Sequence, residues 1–332
     1  MEYLTSLRRI ASKVESTPGT AESLTDAENN VRVWELAIGS LDVPMDEDPS
    51  KYATGDFGLG ESIPGPTSAQ VTFRTKLVNN PTATGTAPHW TKFAQGCGCE
   101  VSTYSGALGQ GWVVHPYKYN AEQTLTVGVY DLERGTDPSG LFYEFAGCIG
   151  NCTVSVEGAG KPYNMAWEFT GALNDITDVV EADIPELSGW QTDIPDKFLN
   201  GTATIGGVSV CISTLEFNFG NTISPVECVG SSTGYDKFGI TAMEPTITIN
   251  PLLMKQADYD SWSKFTNGTI EEIIIETDQV RIHVPRAQIM TMSVEDADGI
   301  LRQSLSFRPL RPTTPGDYTY APWIMTILNT NL

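Results

Sequence analysis

Alternation of apolar and polar side chains at every second position is the feature that most narrows what this chain can become. Val71, Phe73, Thr75 and Leu77 alternate with Thr72, Arg74 and Lys76, the period of a strand with one buried and one wet face. Cys152, Val154 and Val156 repeat it, and Met165, Trp167 and Phe169 do so again beyond a turn at Gly158–Gly160. A connection rich in Pro and Asp runs from Asp178 to Asp196. Beyond it Val208, Val210 and Ile212 alternate, then Leu215, Phe217 and Phe219. Val280, Ile282 and Val284 follow, and then Met290, Met292 and Val294. Asp298-Gly299 predicts a tight hairpin turn, with Leu301, Leu305 and Phe307 on the returning strand. A mainly β fold is expected.

Two stretches escape the pattern. Up to about Glu28, Leu4, Leu7, Ile10, Ala11 and Val14 sit near helical spacing, so a helix is expected there, ended by Pro18-Gly19. Residues 42–66 are dense in Asp, Gly and Pro and predict a long loop, not a strand pair. Their acidic cluster lacks the regular order of a calcium loop, which favours a solvated segment.

The pattern also repeats on a larger scale. A strand–turn–strand ending in Trp167-Glu168-Phe169-Thr170-Gly171 is matched by one ending in Ser304-Leu305-Ser306-Phe307-Arg308-Pro309. An alternating strand precedes each, Val71–Leu77 and Leu215–Phe219, which suggests duplicated β domains of roughly 100–130 residues. The expected division is a first domain over 1–185, with its N-terminal arm and long loop, and a linker over 186–198. A second domain with a C-terminal extension then covers 199–332, and each domain holds one short helix. At 332 residues the chain is long enough for both.

Charge and composition exclude several classes. Lys and Arg number 20 against 41 Asp and Glu, a net charge of −21 that repels nucleic acid and anionic membranes. No apolar run approaches the length of a membrane span, and Met1–Thr5 has no secretory signal pattern. Cys97-Gly98-Cys99 is too tight for a zinc knuckle, and Cys148 and Cys152 lack a second pair. His89, His115 and His283 stand apart from one another, and Cys211 and Cys228 are single, so buried reduced thiols are expected rather than a metal site. No Walker loop or His-Glu-x-x-His motif appears. The sequence therefore offers no catalytic, cofactor-binding or metal-ligating set, and the chain is expected not to be an enzyme.

The order of short motifs carries a resemblance. The opening Lys13-Val14-Glu15-Ser16-Thr17-Pro18-Gly19-Thr20 resembles the start of phage tail tube proteins. Val71–Leu77, Ala87–Phe93 with Gly98-Cys99, Gly147–Asn151 and Met165–Gly171 follow in that family's order, then Phe219-Gly220-Asn221-Thr222-Ile223, Gly239-Ile240-Thr241 and Pro245-Thr246-Ile247. The likeness covers about residues 5 to 312 and stops short of Thr313–Leu332, which stays unassigned.

The resemblance implies tandem tail-tube-type β-sandwich or half-barrel domains in a structural virion protein of a bacteriophage tail, made in the bacterial host cytoplasm. It implies rings, six copies of a single domain or three of a duplicated one, closed into a continuous barrel and stacked into a tube. The loop 42–66 and the N-terminal arm would contact neighbouring subunits. Tape measure, baseplate and terminator proteins are the other implied partners. DNA would pass along a lumen, expected here to be acidic, without specific binding. Another virion β-protein, such as a tail terminator, baseplate hub or receptor-binding or decoration protein, shares this composition and is the alternative.

Overall fold

The computed structural model describes residues 7–47, 62–79, 87–106, 109–116, 123–133, 139–186, 195–231, 233–297, 299–311 and 321–328. The first half begins with β1 (Arg9–Val14), β2 (Trp34–Asp42), the short strands β3 (Met45–Glu47) and β4 (Ser62–Pro64), and β5 (Ser68–Lys76). Helix α1 (Thr91–Gly96) follows, then β6 (Cys99–Gly106), β7 (Gly109–Pro116), β8 (Leu125–Leu132), β9 (Gly140–Val156) and β10 (Asn164–Val179). The second half opens with β11 (Thr202–Ile205), β12 (Val208–Ser209), β13 (Leu215–Asn218), β14 (Asn221–Glu227), β15 (Tyr235–Met243) and β16 (Thr246–Ile249). It continues with helix α2 (Ser261–Thr266), β17 (Ile270–Glu276), β18 (Val280–Ala297), β19 (Ile300–Pro309) and β20 (Ile324–Leu328).

Alternation sets the faces. In β5, Ala69, Val71, Phe73 and Thr75 are buried while Thr72, Arg74 and Lys76 face outward. Val71, Phe73 and Thr75 lie opposite Phe169, Trp167 and Met165 of β10, so apolar side chains stack across the ladder on one face. Phe73, Phe93 of α1 and Phe169 meet with ring centroids 4.8–6.0 Å apart. Burying each such ring contributes about 1.5–3 kcal/mol. Trp167 keeps its indole N–H satisfied by donating to Thr75 Oγ1 at 2.8 Å. A six-residue helix cannot hold itself together in water, and α1 persists because Phe93 and Ala94 are buried in this core.

The two halves run in the same order. Hydrogen-bonded neighbours go β2-β5-β10-β9-β8-β1 in the first and β13-β16-β19-β18-β17-β11 in the second. α1 and α2 occupy matching places, and Gly98 (φ 73°) and Gly268 (φ 62°) stand two residues past each in the left-handed conformation that closes a helix. One strand pairing joins the halves edge to edge, β9 with β13. A second join comes from β20, which inserts between β7 and β18. Trp323, Met325 and Ile327 are fully buried there, with the Trp323 ring 4.5 Å from Phe219. One apolar core runs through both halves.

Several expectations change. The helix expected near the start is strand β1, pairing with β8 from Arg9↔Tyr130 to Val14↔Leu125. Ile10 enters the main core while Ala11 packs on Tyr130 and Leu132 from the other side, so burial on both faces erased the alternation. The loop 42–66 has paired ends, Met45–Glu47 against Ser62–Pro64, and residues 48–61 lie outside the described set. Only Val208–Ser209 of the expected Val208–Ile212 strand is extended. Val280–Val284 and Met290–Val294 are one strand, not two. A bulge between Ile289 and Thr291 changes the face, which leaves Met290 46% exposed. Leu215–Phe219 takes the place of β2 in the repeat, and the counterpart of Val71–Leu77 is β16. Of the expected Asp298-Gly299 turn, Asp298 lies outside the described residues, while Ala297 pairs with Ile300 and Gly299 stands at φ 82°.

Candidate assembly interface

The internal join displays how one half receives another. β9 is flanked by β10 along one side. On its other side β8 covers the first part, from Gly140 to Cys148, and β13 covers Thr153–Val156. Phe217 lies opposite Val154 and Leu215 opposite Val156, all four buried. Amides lock the register. The Asn151 amide donates to Asn218 Oδ1 at 3.0 Å, and Asn218 Nδ2 donates to Thr153 Oγ1 at 3.0 Å. Asn221 Nδ2 donates to the carbonyls of Cys97 and Gly150 at 2.8 and 2.9 Å, which explains the aromatic-Gly-Asn run that ends at Asn221.

Beyond Asn221 the hairpin β14–β15 leaves its own half and lies over the first. Phe238 packs with Ile149 and Ala172, flanked by Ile223, Tyr235 and Ile240. A side chain at Gly98 would collide with Ile240. The hairpin tip reaches the foot of the 43–67 segment, where Thr67 N–H donates to Thr233 O at 3.0 Å.

The N-terminal arm is tied into the same place by Glu15. Its buried carboxylate accepts from Gly19 N–H and Gly147 N–H at 2.7 Å each, and from the hydroxyls of Thr124 and Thr126. Gly19 approaches the Asp236 carbonyl so closely that no side chain would fit. Lys92 Nζ, from α1, donates to the Ser12 and Glu28 carbonyls and to Asn30 Oδ1. The Lys13–Thr20 run is thus a fastening between arm, sheet and hairpin.

Among the described residues, the edges equivalent to the internal join are open. Phe169 opposite Val71 corresponds to Phe307 opposite Ile247. Counting back from these, Val154 opposite Met165 corresponds to Val294 opposite Gln303. Val154 is fully buried under β13, whereas Val294 is 55% exposed. Likewise Tyr163 is buried and its counterpart Leu301 is 53% exposed. On the opposite edge, Ile38 opposite Val71 corresponds to Phe217 opposite Ile247. β2 ends the sheet path, with β5 on one side and no strand on the other among the described residues. Two unpaired edges of matching kind remain, which natural sheets seldom leave uncovered.

The wet face of this sheet is polar and carries charges of both signs. Thr72, Asn151, Thr153, Ser155, Asn218, Thr246, Thr248, Ser293, Ser304 and Ser306 line it, facing away from the core. Glu35, Glu168, Glu216, Glu244 and Glu295 stand on it with Arg74, Lys76, Arg302 and Arg308; Arg74 pairs with Glu35 at 2.8 Å and Arg308 with Glu244 at 3.3 Å. Among the described residues, little of the acidic surplus lies on this face. Among the described residues it gathers elsewhere, for example at the exposed Asp175, Asp178 and Asp183.

Other chemistry does not assemble. Cys97, Cys99, Cys148 and Cys152 are buried free thiols whose pKa values burial raises, while Cys211 and Cys228 are exposed. No three of His, Cys, Asp or Glu come together to hold a metal among the described residues. The three histidines stay apart: His89 and His115 meet the carbonyls of Asn30 and Pro116, and His283 meets Glu272. Gly230-Ser231-Ser232-Thr233-Gly234 has the spacing of a nucleophile elbow, though such an elbow needs a strand-to-helix turn. Here the run is the tip of β14–β15; Ser231 Oγ meets Thr233 Oγ1, and Ser232 lies outside the described residues. Burial raises the Asp196 carboxyl, but it is occupied by the Thr277 hydroxyl and the Lys197 N–H.

The crossing hairpin and the bridging strand β20 were not read from sequence. For the hairpin a signal existed, the Gly- and Ser-rich 230–234 between Ile223 and Phe238. A family model described as phage tail tube protein matches residues 5–316, so β20 lies beyond the match. Comparison with curated proteins finds no match.

Proposed function

The chain belongs to the phage tail tube protein family, structural components of the virion tail, and from that premise we propose that it polymerises into stacked rings that form the conduit for genome ejection. The reading takes the two halves as tandem copies of one domain, in line with the expected division at 186–198. The observation that carries it is the internal β9·β13 join, whose counterpart edges, β18 beyond Ile289 and the outer side of β2, are open among the described residues of the same chain. Repeating the internal join between chains sets Ile38 of one copy opposite Val294 of the next, as Phe217 lies opposite Val154. Each copy then adds β2, β5, β10, β9, β13, β16, β19 and β18 to one closed barrel, and closure removes both edges. Six domains per ring, as the family resemblance implies, are three copies.

The hydroxyl- and amide-rich face lines the lumen in this arrangement. Its basic residues are matched by acidic ones and form no stripe that would hold phosphates, so DNA slides without sticking. No catalytic role is assigned to the chain. Its partners are itself and, at the ends of the tube, other tail proteins. Negative-stain microscopy of the purified chain tests the reading: rings or tubes are expected, and monomers at every concentration would overturn it.

A further inference from the structure

The turn that joins β9 to β10 does not end in solvent. It lies on the second half of its own chain. Gly160 N–H donates to the Phe198 carbonyl at 2.8 Å and Phe198 N–H donates to the Lys161 carbonyl at 2.9 Å. The Tyr163 and Phe198 rings meet edge to face at 5.7 Å. Ala159 of this turn shares a cavity with Cys211 and Ile212, just ahead of β13.

The end of the β18–β19 pair holds the same place in the second half. Leu77 N–H donates to the Tyr163 carbonyl in one half, and Leu253 N–H donates to the Leu301 carbonyl in the other. Yet among the described residues no neighbouring half lies under this second end. Ile300 is 54% exposed, and Asp296 and Leu301, which pair beside it, are exposed as well.

The missing bed is present at the open β2 edge. Trp34 lies opposite Arg74 as Thr214 meets Asn250, whose Oδ1 accepts from Thr214 N–H at 2.7 Å. Val31 and Arg32 therefore stand ahead of β2 where Cys211 and Ile212 stand ahead of β13. A cavity of about 410 Å³ opens there, lined by Arg32 and Trp34, by Lys76 at the end of β5 and by His89 and Trp90 at the head of α1. Lys76 Nζ lies 5.2 Å from the centre of the Trp34 ring. Among the described lining residues Arg32 and Lys76 are cationic and none is a carboxylate, in a chain with 41 acidic residues against 20 basic ones. The β18–β19 end has the opposite sign at Glu295 and Asp296, while Arg302 turns away to the Asn250 carbonyl.

We propose that the β18–β19 end of one copy seats on this cavity of a second copy, the copy whose β2 pairs with its β18. Ile300 and Leu301 are then covered at the Trp34 rim, and Asp296 lies beside Arg32 and Lys76. This rests on the ring arrangement proposed above. It gives each seam between copies an ionic contact where the seam within a chain uses backbone hydrogen bonds and stacked rings.

A photo-reactive phenylalanine in place of Ile300, in tubes assembled from isotope-mixed subunits, tests the seating. The expected link joins position 300 to residues 30–34 or 87–90 of another copy. A parallel probe at Val294 should capture residues 35–42. If Val294 captures β2 while Ile300 captures some other segment or nothing, the seating is overturned and the edge pairing stands. If neither probe gives its link, or no assembly forms, the ring arrangement fails and this contact with it. Asp296→Asn keeps an acceptor for the Gly299 N–H and removes the charge. It should raise the concentration needed for assembly about threefold at low salt, the size of a partly exposed ion pair, and hardly at all at high salt. Arg32→Glu should raise it further, and adding Asp296→Arg should recover part of that loss. No effect of Asp296→Asn, or one that salt leaves unchanged, contradicts the pairing with Arg32 and Lys76.

Discussion

Replacing Glu15 by Ala tests whether the run from Lys13 to Thr20 is a structural fastening. The buried carboxylate takes four donors, and two of them, the N–H groups of Gly19 and Gly147, are backbone and cannot turn elsewhere. Leaving a buried donor unpaired costs about 1–3 kcal/mol, which the Gly147 N–H loses in full and the partly buried Gly19 N–H in part, roughly 2–5 kcal/mol together. The hydroxyls of Thr124 and Thr126 can rotate toward other acceptors and add little. Against this, the variant no longer buries a charged group, which trims the sum. A net loss of about 3 kcal/mol is expected, a large share of a typical total of about 5–15 kcal/mol. Glu15→Gln keeps one acceptor oxygen but turns an NH2 toward donors, and should lose about half as much. Urea unfolding at concentrations below assembly, followed by tryptophan fluorescence, measures both. A loss under about 1 kcal/mol for the alanine variant would refute the reasoning, because the four donors would then have no need of this carboxylate.

Three further outcomes are expected. Burial raises the thiols of Cys97, Cys99, Cys148 and Cys152 above their ordinary 9.0. Below that value both states keep their protons; above it the unfolded chain releases protons that the fold retains, so stability should fall from about pH 9 upward and fall less steeply for Cys148→Ala. Deleting Asp46 to Gly60 should leave a subunit with native circular dichroism that no longer forms tubes; tubes of normal length would refute the assembly role of this segment, and failure to fold would place it in the core. The purified chain should not retard duplex DNA in a gel at moderate salt, whereas tight, salt-sensitive binding would contradict the conduit.

What could be read in the sequence followed where the physics leaves a periodic trace. β5, the later part of β9 and the early part of β10 bury one face and wet the other, so Val71–Leu77, Cys152–Val156 and Met165–Phe169 announced themselves. β8 and β1 are buried on both faces, which removes alternation, and the spacing of Ile10, Ala11 and Val14 then imitated a helix. Strand β20 is equally apolar and lies next to nothing that precedes it in sequence, so only its contacts with β7 and β18 give it a place. Met290 took the wrong face because a bulge is a matter of pairing, invisible along one strand. Net charge has no address: a total of −21 is compatible with an acidic or a neutral lumen, and the wet face of the sheet carries both signs. The free edges were beyond sequence altogether, since an edge exists only once every other pairing has been counted.

Native mass spectrometry of single rings, released from tubes at low ionic strength, tests the central claim most directly. The proposed arrangement, two domains per chain joined between copies as within one, predicts a ring with the mass of three 36.0 kDa chains and threefold symmetry that approximates sixfold in end-on views. A ring of six chains, or one that keeps its mass when Val294→Pro breaks the β18 edge, would contradict it.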